Sequence, residues 1–528
     1  MKKELTMIRK YIWLTALAAA VAVMLSLSGC VKDNGNYDYR TLTPIEIDMG
    51  LNSSTVVARQ LERLKIEPKV SQGGSDENLT YRWQLKDDLW VPDPALGYFI
   101  DSLLSTDRVL DITVDLPARD YHLILYVTDR TNGVTVNEKL SLRVETIAPQ
   151  GLMVLHEDSE GKGDVSMVMN PEVNADIEGY SNDDVTHAIF SGNNEGLHPE
   201  EGAMIVAPRN GGNHIYLFQG GDRGGYRLSI ADMKIIDTYQ ECFRDGIEDP
   251  GFEGFALWSG SKEYLVNKGS IYFSDSNTTP GTYAQYDVRC FGEPYDAAPY
   301  IGGNVTAGAS SGVRCCFFDK LSKRFMYLDF NQMVKGFTTS GNAFDPKKPL
   351  ENETEMVYAQ MGYPSNFYLA LMQQPGNSSV RKLYALNMNA NWYQADAITG
   401  AGLYDLSAAP EIAQASLFAF GTRGPVIFYG TSQKIYCCLY ENASAAELLL
   451  DVSQEYPGYE VSLLWMFNDN LSNATLYGKL LYVGIWDPTT DEGKLLQYVV
   501  SETSGVIESG PKVYGGFGRI VSLGYKWK

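Results

Sequence analysis

A hydrophobic residue followed by tyrosine, set just after a polar or basic turn, recurs at Ile215-Tyr216, Ile271-Tyr272, Met326-Tyr327, Leu383-Tyr384, Ile435-Tyr436 and Leu481-Tyr482. The tyrosines are 56, 55, 57, 52 and 46 residues apart. A rhythm of this length belongs to repeat architectures, and the four-stranded blade of a β-propeller is a unit somewhat shorter than these steps. Residues 151–528 number 378, which leaves room for seven units of about 54 residues each. One unit fits upstream of the first pair, between Leu152 and Ile205. No amphipathic helix longer than two turns interrupts the stretch. The expectation is an all-β region, a seven-bladed propeller, with six or eight blades as alternatives. Chance phasing of strand tyrosines is the competing reading. A propeller must join its first and last blades, because an open edge exposes unpaired backbone groups. The strand-forming segment Arg519–Trp527 is therefore expected beside Leu152–Leu155, in the same or the adjoining blade.

Composition agrees with strands and tight turns: the chain holds 34 Tyr and 50 Gly, residues that favour pleated sheet and left-handed turns respectively. With 44% hydrophobic and 20% charged residues, it can build a core. Its length exceeds what one ordinary core supports. Formal charge is −22, and residues 1–29 carry four Lys/Arg against one Glu, so residues 30–528 stand at −25. Such a charge argues against nucleic acid or an anionic membrane surface as the main partner.

The N-terminus carries an address. Lys2, Lys3, Arg9 and Lys10 precede an apolar run from Ile12 to Leu27, and Ser28-Gly29 supplies the small residues that cleavage needs. Cys30 follows directly, which is the acceptor pattern of a bacterial lipoprotein. The expectation is a signal peptide over 1–29, lipidation of Cys30, and a short polar tether over 30–41. The alternative is an uncleaved membrane helix, since the run approaches the length that spans a bilayer. Six further cysteines, Cys242, Cys290, Cys315, Cys316, Cys437 and Cys438, include two adjacent pairs and no C-x-x-C spacing. Adjacent residues on a strand point to opposite faces, so buried thiols are expected over a disulfide framework or a zinc cluster.

Residues 42–148 read as an immunoglobulin-like sandwich of about seven short strands. Trp83 is its expected core tryptophan, and Asp129–Gly133 (DRTNG) has hairpin-turn chemistry. The strand Tyr81-Arg82-Trp83, the alternation Tyr121-x-Leu123-x-Leu125-x-Val127-Thr128-Asp129 and the turn that follows resemble a PKD domain. The start at Cys30-Val31-Lys32-Asp33-x-Gly35-x-Tyr37-Asp38-Tyr39, with Gly151–Leu155 opening the next region, is similar to the PKD-like family of outer-membrane lipoproteins. That resemblance implies a lipid-anchored protein of the outer membrane, exposed at the cell surface and associated with SusC/SusD-like nutrient-uptake systems. Lys32-Asp33 fits the family's acidic export stretch only in part.

No catalytic constellation stands out. Gly308–Gly312 (GASSG) matches the nucleophile-elbow pattern, but all five histidines precede it and no helix follows, so a Gly/Ser loop is the better reading. His156-Glu157-Asp158 lacks a second histidine at helical spacing. Asp487, Asp491 and Glu492, and Asn468–Asn470, lack calcium-loop spacing and read as turns. Neither a metal nor a cofactor is expected. Aromatic residues beside Pro, Gly or Asp are the candidate ligand contacts: Trp90 and Tyr98 in an insertion of the sandwich, and Trp258 and Trp392 beside blade turns. The functional expectation is a non-catalytic, surface-anchored binding or accessory component of a nutrient-uptake system, with a glycan, peptide or protein partner. A propeller-type hydrolase or lyase acting on polysaccharide, and a structural subunit of an outer-membrane complex, are the alternatives.

Overall fold

Val313–Asp319 (VRCCFFD) and His214–Gln219 (HIYLFQ) are buried at every position. A mostly apolar segment buried along its whole length suits a strand covered on both faces. From 151 onward such strands form the middle of the sheets, while the outer strands, such as Phe252–Trp258 and Ile507–Phe517, are partly exposed. The protein is seen here in a computed structural model that describes residues 42–51, 53–60, 62–87, 101–114, 116, 120–145, 150–174, 183–200, 202–206, 214–230, 232–258, 262–275, 284–303, 312–388, 399–468 and 476–526.

The N-terminal region alternates instead. Thr135–Glu145 buries Leu140, Leu142 and Val144 and exposes the residues between them, the pattern of a sheet wet on one side. Its five-stranded sheet runs in the order Thr55–Arg59, Thr135–Glu145, Asp120–Asp129, Leu79–Asp87, Asp101–Ser105. The two-stranded pairs Ile45–Asp48 with Lys69–Gln72 and Arg63–Ile66 with Leu110–Thr113 complete it. Trp83 lies fully buried among Leu64, Leu110, Leu125 and Val144, its indole N–H donating to the Arg108 carbonyl at 3.3 Å. At the DRTNG hairpin the Asp129 carboxylate accepts from the Thr131 amide and hydroxyl and from Asn132, each at 2.7 Å, and Gly133 takes a positive φ of 75°. Those hydrogen bonds hold the Asp129 carboxyl below its ordinary range.

Residues 151–526 form seven successive antiparallel sheets. The first contains Gly151–Glu157, Gly163–Met169 and Asp184–Thr186, and takes its fourth strand, Arg519–Lys526, from the chain end. Leu152 faces Tyr525 and Val154 faces Leu523 in that ladder, so the two segments expected to meet do so. The second sheet starts at Met204–Val206, the third at Phe252–Trp258, the fourth at Gly302–Gly303, the fifth at Glu355–Gly362, the sixth at Leu417–Phe420 and the seventh at Glu460–Met466. Six sheets have four strands; the third has three among the described residues. Hydrophobic clusters couple each sheet to the next, and one more couples the seventh back to the first through Leu152, Val154, Tyr482, Leu495, Ile520 and Leu523.

The tyrosine rhythm has a physical origin and a slip. Tyr272, Tyr327, Tyr384 and Tyr436 sit on the third strands of their sheets, whereas Tyr216 and Tyr482 sit on second strands. Five of these tyrosines are buried on middle strands, whereas Tyr272 is only partly buried on the last described strand of its sheet. Among the described residues the six cysteines from Cys242 to Cys438 are free thiols and buried. Burial pushes the thiols of Cys242, Cys290, Cys437 and Cys438 up to about 12.

Candidate functional site

The first strands of sheets two to five and seven, Thr422 just past the first strand of sheet six, and the C-terminal strand of sheet one border a common cavity of about 420 Å³. Its wall includes Val206, Phe255, Leu257, Gly303, Gln360, Met361, Trp465 and Leu523. The glycine pair at the fourth sheet permits this approach: a Cβ on Gly303 would lie 2.0 Å from the Leu257 carbonyl oxygen, and one on Gly302 would lie 2.4 Å from the Tyr368 ring. Polar groups of the wall also tie sheets together. The Gln360 side-chain oxygen accepts from the Phe420 amide at 3.3 Å, and the Thr422 hydroxyl donates to Asn468 at 3.1 Å. Among the described wall residues there is no carboxylate, imidazole, lysine or arginine. Trp465 is half-buried, packed on Phe467 and Tyr482 with its ring centroid 6.0 and 5.8 Å from theirs. A second cavity of about 220 Å³ lies among Trp486, Glu460, Ser462 and Arg519.

One charged side chain, Arg314, lies near this wall without lining it. Val313 pairs with Asp329 and Cys315 with Leu328, so Arg314 is the extra residue of a β-bulge. Strand alternation would send Arg314 and Cys315 to opposite faces. The bulge turns both toward the third sheet, where Cys315 joins the cluster that contains Trp258, and the Arg314 guanidinium lies 3.6 Å over the Trp258 ring. Trp258 directly follows the wall residue Leu257, and Arg314 directly precedes Cys315, the partner of Gly303. Arg314 is 8% exposed and Trp258 4%. Arg314 Nε and Nη1 and Trp258 Nε1 are buried with no hydrogen-bond partner among the described residues. Burial lowers the Arg314 pKa, with the Asp329 carboxylate opposing it. Asp329 Oδ1 accepts the Asn331 and Met333 amides at 2.8 and 3.0 Å, and its Oδ2 forms an ion pair with Lys335 Nζ at 2.6 Å.

Two other polar clusters lie between sheets and away from the cavity wall. Between the second and third, Glu263 is 1% exposed and accepts from Tyr216 at 2.7 Å and Tyr286 at 3.3 Å, with His214 at 3.2 Å. Burial alone would raise the Glu263 carboxyl, but hydrogen bonding and charge from His214, with Tyr216 and Arg227, hold it below its ordinary range. Arg227 donates to Asp237 and to the Ala284 carbonyl, each at 2.8 Å. In the first sheet the Gly518 amide donates to His156 Nδ1 at 3.2 Å, which fixes a neutral ring with its proton on Nε2. That proton goes to Ser166 Oγ at 2.9 Å, and Ser166 donates onward to His187 Nδ1 at 3.0 Å. Burial drives His156 down to about 4, with Asp164 opposing it. Ser166 is fully buried, so this relay braces the fold and offers no nucleophile to a substrate.

Of the residues singled out from sequence, Cys30, Trp90, Tyr98 and Trp392 lie outside the described residues, as does 308–311 of the GASSG segment. Trp258 is read from sequence as a candidate ligand contact beside a blade turn. It is buried instead, because the third sheet's first strand ends against the fourth sheet. Asp487 closes a hairpin, accepting the Thr489 amide at 2.8 Å, and His156-Glu157-Asp158 runs out of a strand into a turn. Sequence reasoning missed Trp465 and Arg314. Arg314 left a signal: it is the lone charge in Val313–Phe318.

Residues 30–193 match the PKD-like family, so a PKD-like domain stands at the N-terminus of the described fold. The match continues past the sandwich into the strands of the first sheet. No curated protein sequence matches the chain. Among solved structures, a quinonprotein alcohol dehydrogenase-like protein from Bacteroides thetaiotaomicron shares 11% identity over 90% of this chain and 97% of its own, with a TM-score of 0.45. Synechocystis apocarotenoid oxygenase is 9% identical over 85% of this chain and 92% of its own, at 0.38. Pseudomonas brassicacearum lignostilbene dioxygenase is 9% identical over 89% and 95%, at 0.36. Scores this low transfer neither a site nor an activity.

Proposed function

We propose that this protein is a non-catalytic binding lipoprotein of a nutrient-uptake system. In this reading, lipid on Cys30 holds it at the outer surface of the outer membrane and the PKD-like sandwich acts as a spacer. The seven sheets form a closed seven-bladed propeller whose central cavity takes the ligand, and SusC/SusD-like transporter proteins are its partners. The observation that carries the reading is the cavity wall. Aromatic and aliphatic side chains with a few neutral amides and hydroxyls suit recognition, whereas hydrolysis of a glycosidic bond ordinarily needs a pair of positioned carboxylates. The couplings between each sheet and the next, and from the seventh to the first, support the ring.

The test uses soluble glycans and peptides presented to the full chain, with binding and product formation followed together. Trp465→Ala should weaken binding about tenfold, since an aromatic anchor in a pocket contributes on the order of 1–2 kcal/mol or more. New reducing ends or cleaved peptides would overturn the non-catalytic reading in favour of the hydrolase. Cys30→Ser should move the protein from the membrane to the soluble fraction, since two or three acyl chains are the proposed anchor.

A further inference from the structure

We propose that the Arg314–Trp258 stack is an anion-recognition subsite at the edge of the central cavity, and that the ligand of this protein carries a carboxylate. The proposal deepens the reading of the cavity as a ligand site and rests on it. Three features of the stack point the same way. The bulge is a local device that re-aims a side chain, and such bulges concentrate beside functional sites. Here it adds a charged residue to a face that Cys315 already occupies, which a plain strand would not do. The indole covers the guanidinium face, so the N–H groups left for hydrogen bonding point outward in the guanidinium plane. A planar carboxylate is the group that meets such an edge with two parallel hydrogen bonds. Lastly, the donors are buried and unmatched: Arg314 Nε and Nη1 and the Trp258 indole N–H have no acceptor among the described residues, and the nearby Asp329 is held by Lys335 and two turn amides.

A buried donor without an acceptor is a standing cost to the folded state, and a chain of net charge −22 has no shortage of carboxylates to place there. A ligand carboxylate would satisfy the donors on binding. One guanidinium matches one negative charge, and Asp329 close by opposes a second, so a monoanionic carboxylate fits better than a dianionic phosphate. The neighbouring wall, with Leu257 and Gly303 one residue away and Trp465 further round, would take the neutral remainder of the ligand.

The experiment is thermal unfolding of the full chain in sodium acetate, acetamide, sodium phosphate or sodium chloride, with the three salts at matched ionic strength. Acetamide has the shape of acetate without its charge. Acetate at saturating concentration should raise the midpoint about 2–4 °C above chloride, while acetamide should not. Arg314→Met should erase the difference between acetate and chloride, and Arg314→Lys should keep only part of it. Equal midpoints in acetate and chloride would overturn the proposal, as would an equal effect of acetamide or an acetate effect that survives Arg314→Met. A larger effect of phosphate than of acetate would overturn the carboxylate assignment. If Trp465→Ala leaves the acetate effect intact while glycans and peptides fail to bind either protein, the cavity reading falls and the anion subsite stands. The comparison of acetate with acetamide on the unaltered chain needs no variant to fold.

Discussion

The third sheet meets its two neighbours across seams of opposite character. Toward the second sheet, Glu263 is surrounded by His214, Tyr216 and Tyr286, and Arg227 is held by Asp237 and a carbonyl. Toward the fourth sheet, Arg314 lies on Trp258 with buried N–H groups that meet no acceptor among the described residues. Both seams bury charge in the same kind of sheet-on-sheet packing. The first pairs its charges within the chain, Glu263 with His214 and two tyrosines and Arg227 with Asp237. The second leaves its donors without an acceptor among the described residues, and on that difference the proposed anion subsite rests. Burial alone does not separate a structural charge from a functional one; the state of its hydrogen bonds is what a test can address.

The largest effect should come from breaking the satisfied seam. Glu263→Ala removes the acceptor of two tyrosines and the partner of His214, and should cost about 3–5 kcal/mol in urea unfolding. A loss below about 1 kcal/mol would erase the contrast between the seams, because surface positions lose that much.

Acid should act on a third seam, where His156 braces the first sheet against the end of the seventh. Its folded pKa of about 4 lies below the ordinary 6.5. Between those values the unfolded chain binds the extra proton, so stability is full above pH 6.5 and drains as pH falls toward 4, by about 3 kcal/mol. Asp158 and Asp164 favour the charged ring and His187 opposes it. His156→Gln should flatten unfolding free energy against pH across that window, and an unchanged slope would remove His156 as its source.

The unsatisfied seam should respond with the opposite sign. Arg314→Met removes orphaned donors while filling similar space, and should leave stability unchanged or raise it by about 1–2 kcal/mol in the absence of ligand. A loss of the size expected for Glu263→Ala would mean that Arg314 is a structural charge after all. The smallest effect concerns the cavity wall: Thr422→Val breaks one hydrogen bond between the sixth and seventh sheets and should cost about 0.5–1.5 kcal/mol, read as a shift in the urea midpoint at constant slope.

By itself the sequence determined much of the secondary structure and its grouping. The sandwich strands alternate because one face is wet, so Trp83, Leu123 and Leu125 could be placed in a core from spacing alone. The DRTNG turn was legible because Asp, Thr and Asn satisfy one another within four residues. The approximate repeat, and the return of the C-terminal strand to Leu152–Leu155, followed from apolar runs and from the need to pair edges. Only the tertiary structure decided what happens between sheets. Middle strands covered on both faces carry no periodicity, and the apolar residues of the partly exposed first strands look like theirs in sequence, so Trp465 could not be told from a core tryptophan. Trp258 sits beside a turn in sequence and under a neighbouring sheet in space. Arg314 was visible as a lone charge in an apolar run, but its meaning depends on a bulge and on the acceptors it fails to meet. Those are properties of segments that come together from different parts of the chain, and no local pattern encodes a missing partner.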